Sequence, residues 1–391
     1  DIIIINTCVV KSKTESKIKR KIQDLKQWAK ENSNLLIIAG CMSETDKTKI
    51  KNLLQGSNIL FLGTHNLKDI NNLIQNKKDI IENKEEVKLN LPKIPKNKII
   101  SIHQISEGCL GNCSYCKTRI AKGKLFSYPK QEILKSIESD LNQGAKEIWI
   151  TSQDNANYGL DKNKQSQLPE LLNEILSLRH RFKLRLGMMD PNNVLPILDK
   201  LIECYKNEKM YKFIHLPIQS ASNNILKHMR RLYTLEQAEK IINKFKKEIP
   251  NIAIATDIIV GYPTENANDH NKNIDFILNN KPDVLNISKF SSHKQTPAGK
   301  LKELSIKTIK KRTKEIMQAH RQTAKQNKEK YLNTIIPIFV NKKIQEQFYS
   351  ARDNNYNIVL IKGDKGILGK SIKVKVLNTE VHHMNAEIIK D

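Results

Sequence analysis

Cys109, Cys113 and Cys116 stand close together in a chain of 391 residues whose other cysteines, Cys8, Cys41 and Cys204, are scattered. The thiolate is the form of cysteine that ligates metals. Three thiolates on one short loop can hold three irons of a cubane 4Fe–4S cluster and leave the fourth iron open. A closed tetrahedral zinc site is the rival, and it needs a fourth ligand nearby. The next cysteine, Cys204, is far along the chain, and His103 belongs to the preceding apolar segment. An open iron is a binding place for a small molecule, so the spacing points to redox catalysis.

The run Gly108-Cys109-Leu110-Gly111-Asn112-Cys113-Ser114-Tyr115-Cys116, with an aromatic residue before its last cysteine, resembles the radical S-adenosylmethionine superfamily. The resemblance implies that the open iron binds the amino and carboxylate groups of the cofactor. It also implies one-electron cleavage of the C5′–S bond to a 5′-deoxyadenosyl radical, with Tyr115 packed near the adenine. Other cofactor-binding candidates lie at the ends of later apolar segments. Ser152, Gln153 and Asp154 suit an ammonium group, although Asp154 suits a helix N-cap equally well. Arg185 suits a carboxylate. Gln219 and Asp257 add polar groups, and Gly261 would bare its backbone toward adenine. His215 reads as core, and Arg230-Arg231 as either a solvated helix end or an anion contact.

Those residues need a scaffold, and the pattern supplies three regions. Residues 1–90 alternate apolar strands (2–5, 35–39, 59–62) with an amphipathic helix over 12–30, which predicts a small parallel α/β domain. Strand 2–5 reads as buried on both faces, and a chain opening inside a strand suggests residues upstream. Residues 97–328 repeat strand and helix six times, with strands at 99–105, 147–151, 183–186, 213–216, 252–260 and 284–287. Six units are too few for a closed eight-stranded barrel, so an open (βα)6 partial barrel is expected, with its chemistry at the C-terminal strand ends. Residues 329–391 carry short strands at 335–340, 348–350, 358–361 and 372–377, a small β-barrel. The fold class is therefore α/β with an all-β C-terminal module.

Lys plus Arg number 67 and Asp plus Glu 41, a net charge of +26 that favours a polyanion such as nucleic acid. Between 300 and 330 there are eleven Lys or Arg against three Glu. Unevenly spaced cysteines argue against a disulfide scaffold and for a reducing compartment, the cytoplasm. No apolar run approaches the ~20 residues of a membrane span.

Cys8, in Asn6-Thr7-Cys8, and Cys41, in Ala39-Gly40-Cys41, each follow a strand. With these the whole chain resembles the methylthiotransferase family. In that family three N-terminal cysteines hold an auxiliary 4Fe–4S cluster; Cys8 and Cys41 match the second and third. The C-terminal module resembles the TRAM barrel, where Lys362, Lys365, Lys370, Lys373 and Lys375 would grip RNA. Arg185-Leu186-Gly187-Met188, His215-Leu216-Pro217-Ile218-Gln219-Ser220 and Ala255-Thr256-Asp257-Ile258-Ile259-Val260-Gly261 look like the archaeal and eukaryotic branch acting on N6-threonylcarbamoyladenosine in tRNA. Ser292-His293-Lys294-Gln295-Thr296-Pro297 departs from the Arg-Gly usual before Thr-Pro. The resemblance implies methylthio insertion at C2 of that base beside the anticodon, by a monomer using two S-adenosylmethionine molecules. If the partner is tRNA, removing the region from about Glu329 onward is expected to weaken binding while sparing cofactor cleavage. The alternatives are the same chemistry on another tRNA adenosine or a ribosomal-protein aspartate, and a non-catalytic zinc-containing RNA-binding protein.

Overall fold

The computed structural model describes residues 1–10, 12–31 and 33–389. It divides into two compact units: residues 1–88, 107–126 and 291–302 form the first, and residues 89–106, 127–290 and 303–391 the second. Among the described residues no helix is long and apolar enough to cross a membrane.

The first unit is built on three parallel strands, β1 (Ile2–Thr7), β2 (Leu35–Gly40) and β3 (Ile59–Leu62), in that order across the sheet. Both faces of the central β2 are covered. Leu36 and Ile38 pack with Ile22, Met42, Ile50 and Phe61, and Ile37 and Ala39 with Leu60, Leu62 and Leu73. β1 departs from the sequence expectation. It is an edge strand, and Ile2 and Ile4 are 48% and 47% exposed. An unbroken isoleucine run has no period-two signal, so it cannot separate edge from centre. The parallel register sets Thr7 opposite Gly40, and Cys8 and Cys41 therefore leave the sheet side by side. Gly40 has φ +85°, and a Cβ there would lie 2.5 Å from Asn6 Oδ1 and 2.7 Å from the Thr7 carbonyl. Glycine alone meets both demands.

The second unit holds six parallel strands: β4 (Ile100–Gln104), β5 (Glu147–Thr151), β6 (Lys183–Leu186), β7 (Phe213–His215), β8 (Ala253–Val260) and β9 (Val284–Lys289). They pair as two three-stranded sheets, β4-β5-β6 and β7-β8-β9, in chain order. Ile148, Ile150, Leu184, Leu186, Ile214, Ile254 and Ile258 are buried on one face. Gln104, Trp149, Thr151, Arg185, His215 and Asp257 are partly open on the other. Local signals set the intervening helices. Thr234 and Gln237 form a reciprocal capping box for Leu235–Glu248, whose Ala238, Ile241, Ile242 and Phe245 are buried.

The helix Ile306–Glu329 leads into a closed barrel of β10 (Ile335–Gln345), β11 (Phe348–Asp353), β12 (Ile358–Lys362), β13 (Ser371–Thr379) and β14 (Met384–Ile388). Its order is β10-β11-β12-β14-β13. Sequence reading missed β14, although Met384, Ala386 and Ile388 alternate with Asn385 and Glu387 in the period-two pattern of a half-buried strand. It closes the barrel by pairing parallel to β12 and antiparallel to β13.

The turn after β11 reaches back to the six-stranded region. The Tyr356 ring centroid lies 4.9 Å from that of Tyr211, 5.1 Å from Phe213 and 6.3 Å from Trp149. Tyr356 has φ +65°, a left-handed conformation costing a non-glycine residue about 1–3 kcal/mol. Its aromatic packing offsets that strain, and the Asp353 carboxylate fixes the turn by accepting the Asn355 and Asn357 backbone N–H groups. Asn341 Nδ2 donates to Glu147 Oε2 at 2.7 Å, a second tie between barrel and strands. The C-terminal barrel thus supplies a floor beneath the starts of the parallel strands. Its removal is therefore expected to do more than weaken RNA binding. A chain ended before Glu329 should bind a hydrophobic dye, lose its cooperative melt and cleave cofactor poorly. Retention of the full-length melting profile would show that the floor is dispensable.

Candidate active site

The cysteine loop gets its shape from glycine and from backbone hydrogen bonds. Gly108 has φ +70°, and a Cβ there would collide with the Lys124 carbonyl oxygen at 1.8 Å. Cys109 N–H donates to the Gly123 carbonyl at 3.4 Å and Cys116 N–H to that of Cys113 at 3.2 Å. The Gly111 N–H points at Cys109 Sγ, 3.2 Å away. A Cβ on Gly111 would lie 3.3 Å from Cys109 Sγ and 3.8 Å from Cys113 Sγ, so two sulfurs converge over a residue with no side chain. As whole residues, all three cysteines are partly open. A cleft of about 220 Å³ is lined by Cys109, Arg119, Ile120, Gly123 and Lys124. Burial pushes the Cys116 thiol up, while the Arg119 and Thr118 N–H groups draw it down. Among the described residues no three His, Cys, Asp or Glu side chains are grouped to share one metal ion. A cubane asks for a wider set, since each thiolate takes its own iron. The cradle and the amide directed at sulfur fit that group.

Buried ion pairs hold the loop at two points. Glu107, 1% exposed, precedes Gly108. Its carboxylate lies 2.6 Å from Lys88 Nζ, 3.0 Å from Lys122 Nζ and 3.5 Å from His65 Nδ1. Burial alone would raise this carboxyl, but His65, Lys122 and Lys88 hold it well below the usual carboxylate range. Lys117 directly follows Cys116 and is 5% exposed. Its Nζ lies 2.5 Å from Asp46 Oδ2 and 3.5 Å from Glu15 Oε1. Sequence reading missed both anchors. One lysine in so basic a chain carries no signal of burial.

Cys8 and Cys41 lie in the same unit as the loop. Thr7 Oγ1 donates to the Ala39 carbonyl at 2.6 Å and accepts the Met42 N–H at 2.9 Å, locking the two strand ends together. Burial pushes the Cys41 thiol up, Lys122 draws it down, and Cys8 is close enough to raise it.

In the second unit the expected cofactor residues divide. Ser152 Oγ and Gln153 Oε1 are buried without a hydrogen-bond partner, past the end of β5. Unpaired buried oxygens are costly, and a ligand's ammonium or hydroxyl group would satisfy them. Asp154 is occupied. It accepts from the Ala156 and Asp190 N–H groups at 3.0 Å and from Asn193 Nδ2 at 2.8 Å, the capping role. Burial and the neighbouring Asp190 push its carboxyl up. Gln219 adopts φ +63° beside β8 and takes the Asp257 carbonyl through its N–H. Asp257 pairs through its carboxylate with His215 Nε2, so this histidine is half-buried and paired on the open face of the sheet. Gly261 spends its N–H on Glu265 Oε1 at 3.3 Å. Arg231 is held by Asp190 at 2.9 Å. Arg185 is turned toward the aromatic floor, 5.4 Å from the Phe213 ring. A cleft of about 350 Å³ lies elsewhere in this unit, lined by Tyr128, Lys130, Tyr158, Lys162 and Glu174 among others, and includes none of these residues. Lys362, Lys365, Lys370, Lys373 and Lys375 are all exposed on the C-terminal barrel, joined on β10 by Lys342 and Lys343.

Comparison with known proteins adds an outside measure. Residues 104–277 match the Radical SAM superfamily, and residues 1–62 match the family described as uncharacterized protein family UPF0004. A protein of Methanocaldococcus jannaschii called "Probable threonylcarbamoyladenosine tRNA methylthiotransferase" is 35% identical over all of this chain and 88% of its own length. The Xenopus laevis threonylcarbamoyladenosine tRNA methylthiotransferase is 30% identical, over all of this chain and 71% of its own. Among solved structures, the radical S-adenosylmethionine methyltransferase TsrM from Kitasatospora setae superposes with a TM-score of 0.58 at 15% identity. That match covers 76% of this chain and 65% of that one, and is a likeness of fold.

The anchors generate a test. Lys117→Met leaves Asp46 and Glu15 buried without their cation, a loss of about 3–5 kcal/mol for a broken buried pair. The melting midpoint of the first unit should fall, and Lys117→Met combined with Asp46→Asn should recover part of the loss. An unchanged midpoint in the single variant would remove Lys117 from the anchoring role.

Proposed function

The chain belongs to the threonylcarbamoyladenosine tRNA methylthiotransferases of the radical S-adenosylmethionine superfamily, and on that premise we propose that it places a methylthio group on C2 of N6-threonylcarbamoyladenosine beside the tRNA anticodon. The observation that carries the reading is the glycine-cradled loop of Cys109, Cys113 and Cys116, in a chain similar from end to end to proteins of that name. We assign residues 1–90 to an auxiliary-cluster domain, 97–328 to an open six-unit barrel formed by the two parallel sheets, and 329–391 to an RNA-binding module of the TRAM kind.

Cys109, Cys113 and Cys116 would hold the 4Fe–4S cluster that the superfamily implies. When bound, the cluster and S-adenosylmethionine supply a 5′-deoxyadenosyl radical, which reacts with an aromatic C–H that acid–base chemistry leaves untouched. Ser152 Oγ and Gln153 Oε1, unpaired in the protein alone, would take the cofactor's ammonium group. Gln219 and Asp257, with the Gly261 backbone and the Tyr115 ring, would line its ribose and adenine. Cys8 and Cys41 would give two of the thiolates of the auxiliary cluster that the family implies. The exposed lysines would bind phosphates while the target base leaves its stack.

Reconstituted enzyme should methylthiolate tRNA bearing the threonylcarbamoyl group and ignore tRNA without it, read by mass spectrometry of the nucleosides. Equal action on both would redirect the reading to another adenosine. Cys109→Ala, Cys113→Ala and Cys116→Ala should each abolish 5′-deoxyadenosine formation; normal formation in any one would sink the radical assignment. Binding of tRNA should weaken with salt. If all five lysines engage phosphates, the slope of log K against log salt should lie near about −3.5 to −4.5. A flat dependence would contradict their role.

A further inference from the structure

Arg185 on β6 is in an unusual position for a cation. Its guanidinium carbon lies 5.8 Å from the Trp149 ring centroid, 5.4 Å from Phe213 and 5.7 Å from Tyr356. Its Nε is buried with no hydrogen-bond partner, and no ion pair reaches it among the described residues. The neighbouring carboxylate is committed elsewhere. Glu147 Oε1 accepts Trp149 Nε1 at 2.6 Å, and its Oε2 accepts the Tyr211 hydroxyl at 3.2 Å and Asn341 Nδ2 at 2.7 Å. Arg352 stacks on the same Tyr356 ring, 4.1 Å from its centroid, and adds positive charge. Three aromatic faces partly compensate a desolvated guanidinium. They offer no acceptor to a planar fork of donors shaped for a carboxylate.

Three anions are available to a tRNA-modifying site: the cofactor's carboxylate, an RNA phosphate and the carboxylate of the threonyl group. Depth separates them. The guanidinium stands over Phe213, the first residue of β7, and over Tyr356 of the floor, whereas Ser152 and Gln153 lie beyond the last residue of β5. Sequence reading put Arg185 with those cofactor residues; its side chain is turned away from the strand ends. A phosphate is tied to the RNA backbone and reaches a recessed floor poorly. The threonylcarbamoyl group is a flexible arm that leaves N6 of the base and ends in a free carboxylate. We propose that Arg185 is the specificity-determining residue that pairs with this threonyl carboxylate at the aromatic floor, an inference that rests on the tRNA reading above.

The test compares anticodon stem-loop RNA carrying threonylcarbamoyladenosine with the same RNA carrying its methyl ester. Binding to the full chain is read by fluorescence anisotropy and methylthiolation by kcat/KM. A charge-assisted pair predicts that the wild type favours the acid by about 10–100-fold. Arg185→Gln should bring that ratio near one, and Arg185→Lys should keep part of it, each checked for a wild-type circular dichroism melt. A wild type that binds and converts acid and ester alike overturns the inference and leaves the tRNA reading standing. So does an Arg185→Gln variant that keeps the preference. If Arg185→Gln does not fold, the acid-to-ester ratio of the wild type decides alone. A wild type that methylthiolates neither RNA refutes the tRNA reading, and the inference falls with it.

Discussion

The loop that carries Cys109, Cys113 and Cys116 is made largely of glycine and small polar residues, and it has almost no apolar surface with which to anchor itself. Buried charge does that work. Glu107 gathers Lys88, Lys122 and His65 just before the first cysteine, and Lys117 meets Asp46 and Glu15 just after the last. Removing charges from water costs several kcal/mol per ion, so such pairs contribute little net stability, yet they tolerate few geometries. Under the proposed cluster-binding role the loop would gain from that intolerance, because its sulfurs would have to hold their places through repeated redox change. The strand pairing that sets Cys8 beside Cys41 serves the same unit, and Lys122 takes part in both places, facing Glu107 and opposing the burial that raises the Cys41 thiol.

The parallel strands divide their labour along their length. At the C-terminal ends lie oxygens with nothing to bind, Ser152 Oγ and Gln153 Oε1. At the starts lies an aromatic bed of Trp149, Tyr211, Phe213 and Tyr356, with Glu147 fully hydrogen-bonded among them. Unsatisfied polar atoms belong where ligands arrive, and satisfied ones where the fold must be stiff. The His215–Asp257 pair stands between these extremes, partly open to solvent.

Most of the scaffold could be read in advance because its signals are local. Strands 59–62, 147–151 and 183–186 coincide with β3, β5 and β6, each a short β-prone run bounded by turn or polar residues. The cysteine spacing and the end-to-end family likeness were equally plain. The sequence concealed what depends on tertiary placement. An isoleucine run looks the same at the edge of a sheet as at its centre, as β1 shows. Asp154 reads identically as ligand and cap until its three donors are seen. Lys117 and Tyr356 take their roles from residues 71 and 143 or more positions away, Asp46 and Phe213 among them, and no window of sequence contains both partners.

Tyr356 also orders events in time. A ribosome extends its chain at roughly 5–20 residues per second, and upstream domains begin folding before the end is made. The parallel strands are complete once Lys289 has emerged, but the ring that seals their underside belongs to a residue 67 positions later. During that interval the nascent protein shows Tyr211, Phe213 and Trp149 to its surroundings, a hydrophobic opening of the sort that chaperones recognise. Synthesis of the C-terminal barrel ends this exposure, so a later-translated segment acts as the closing step in maturation of the parallel strands.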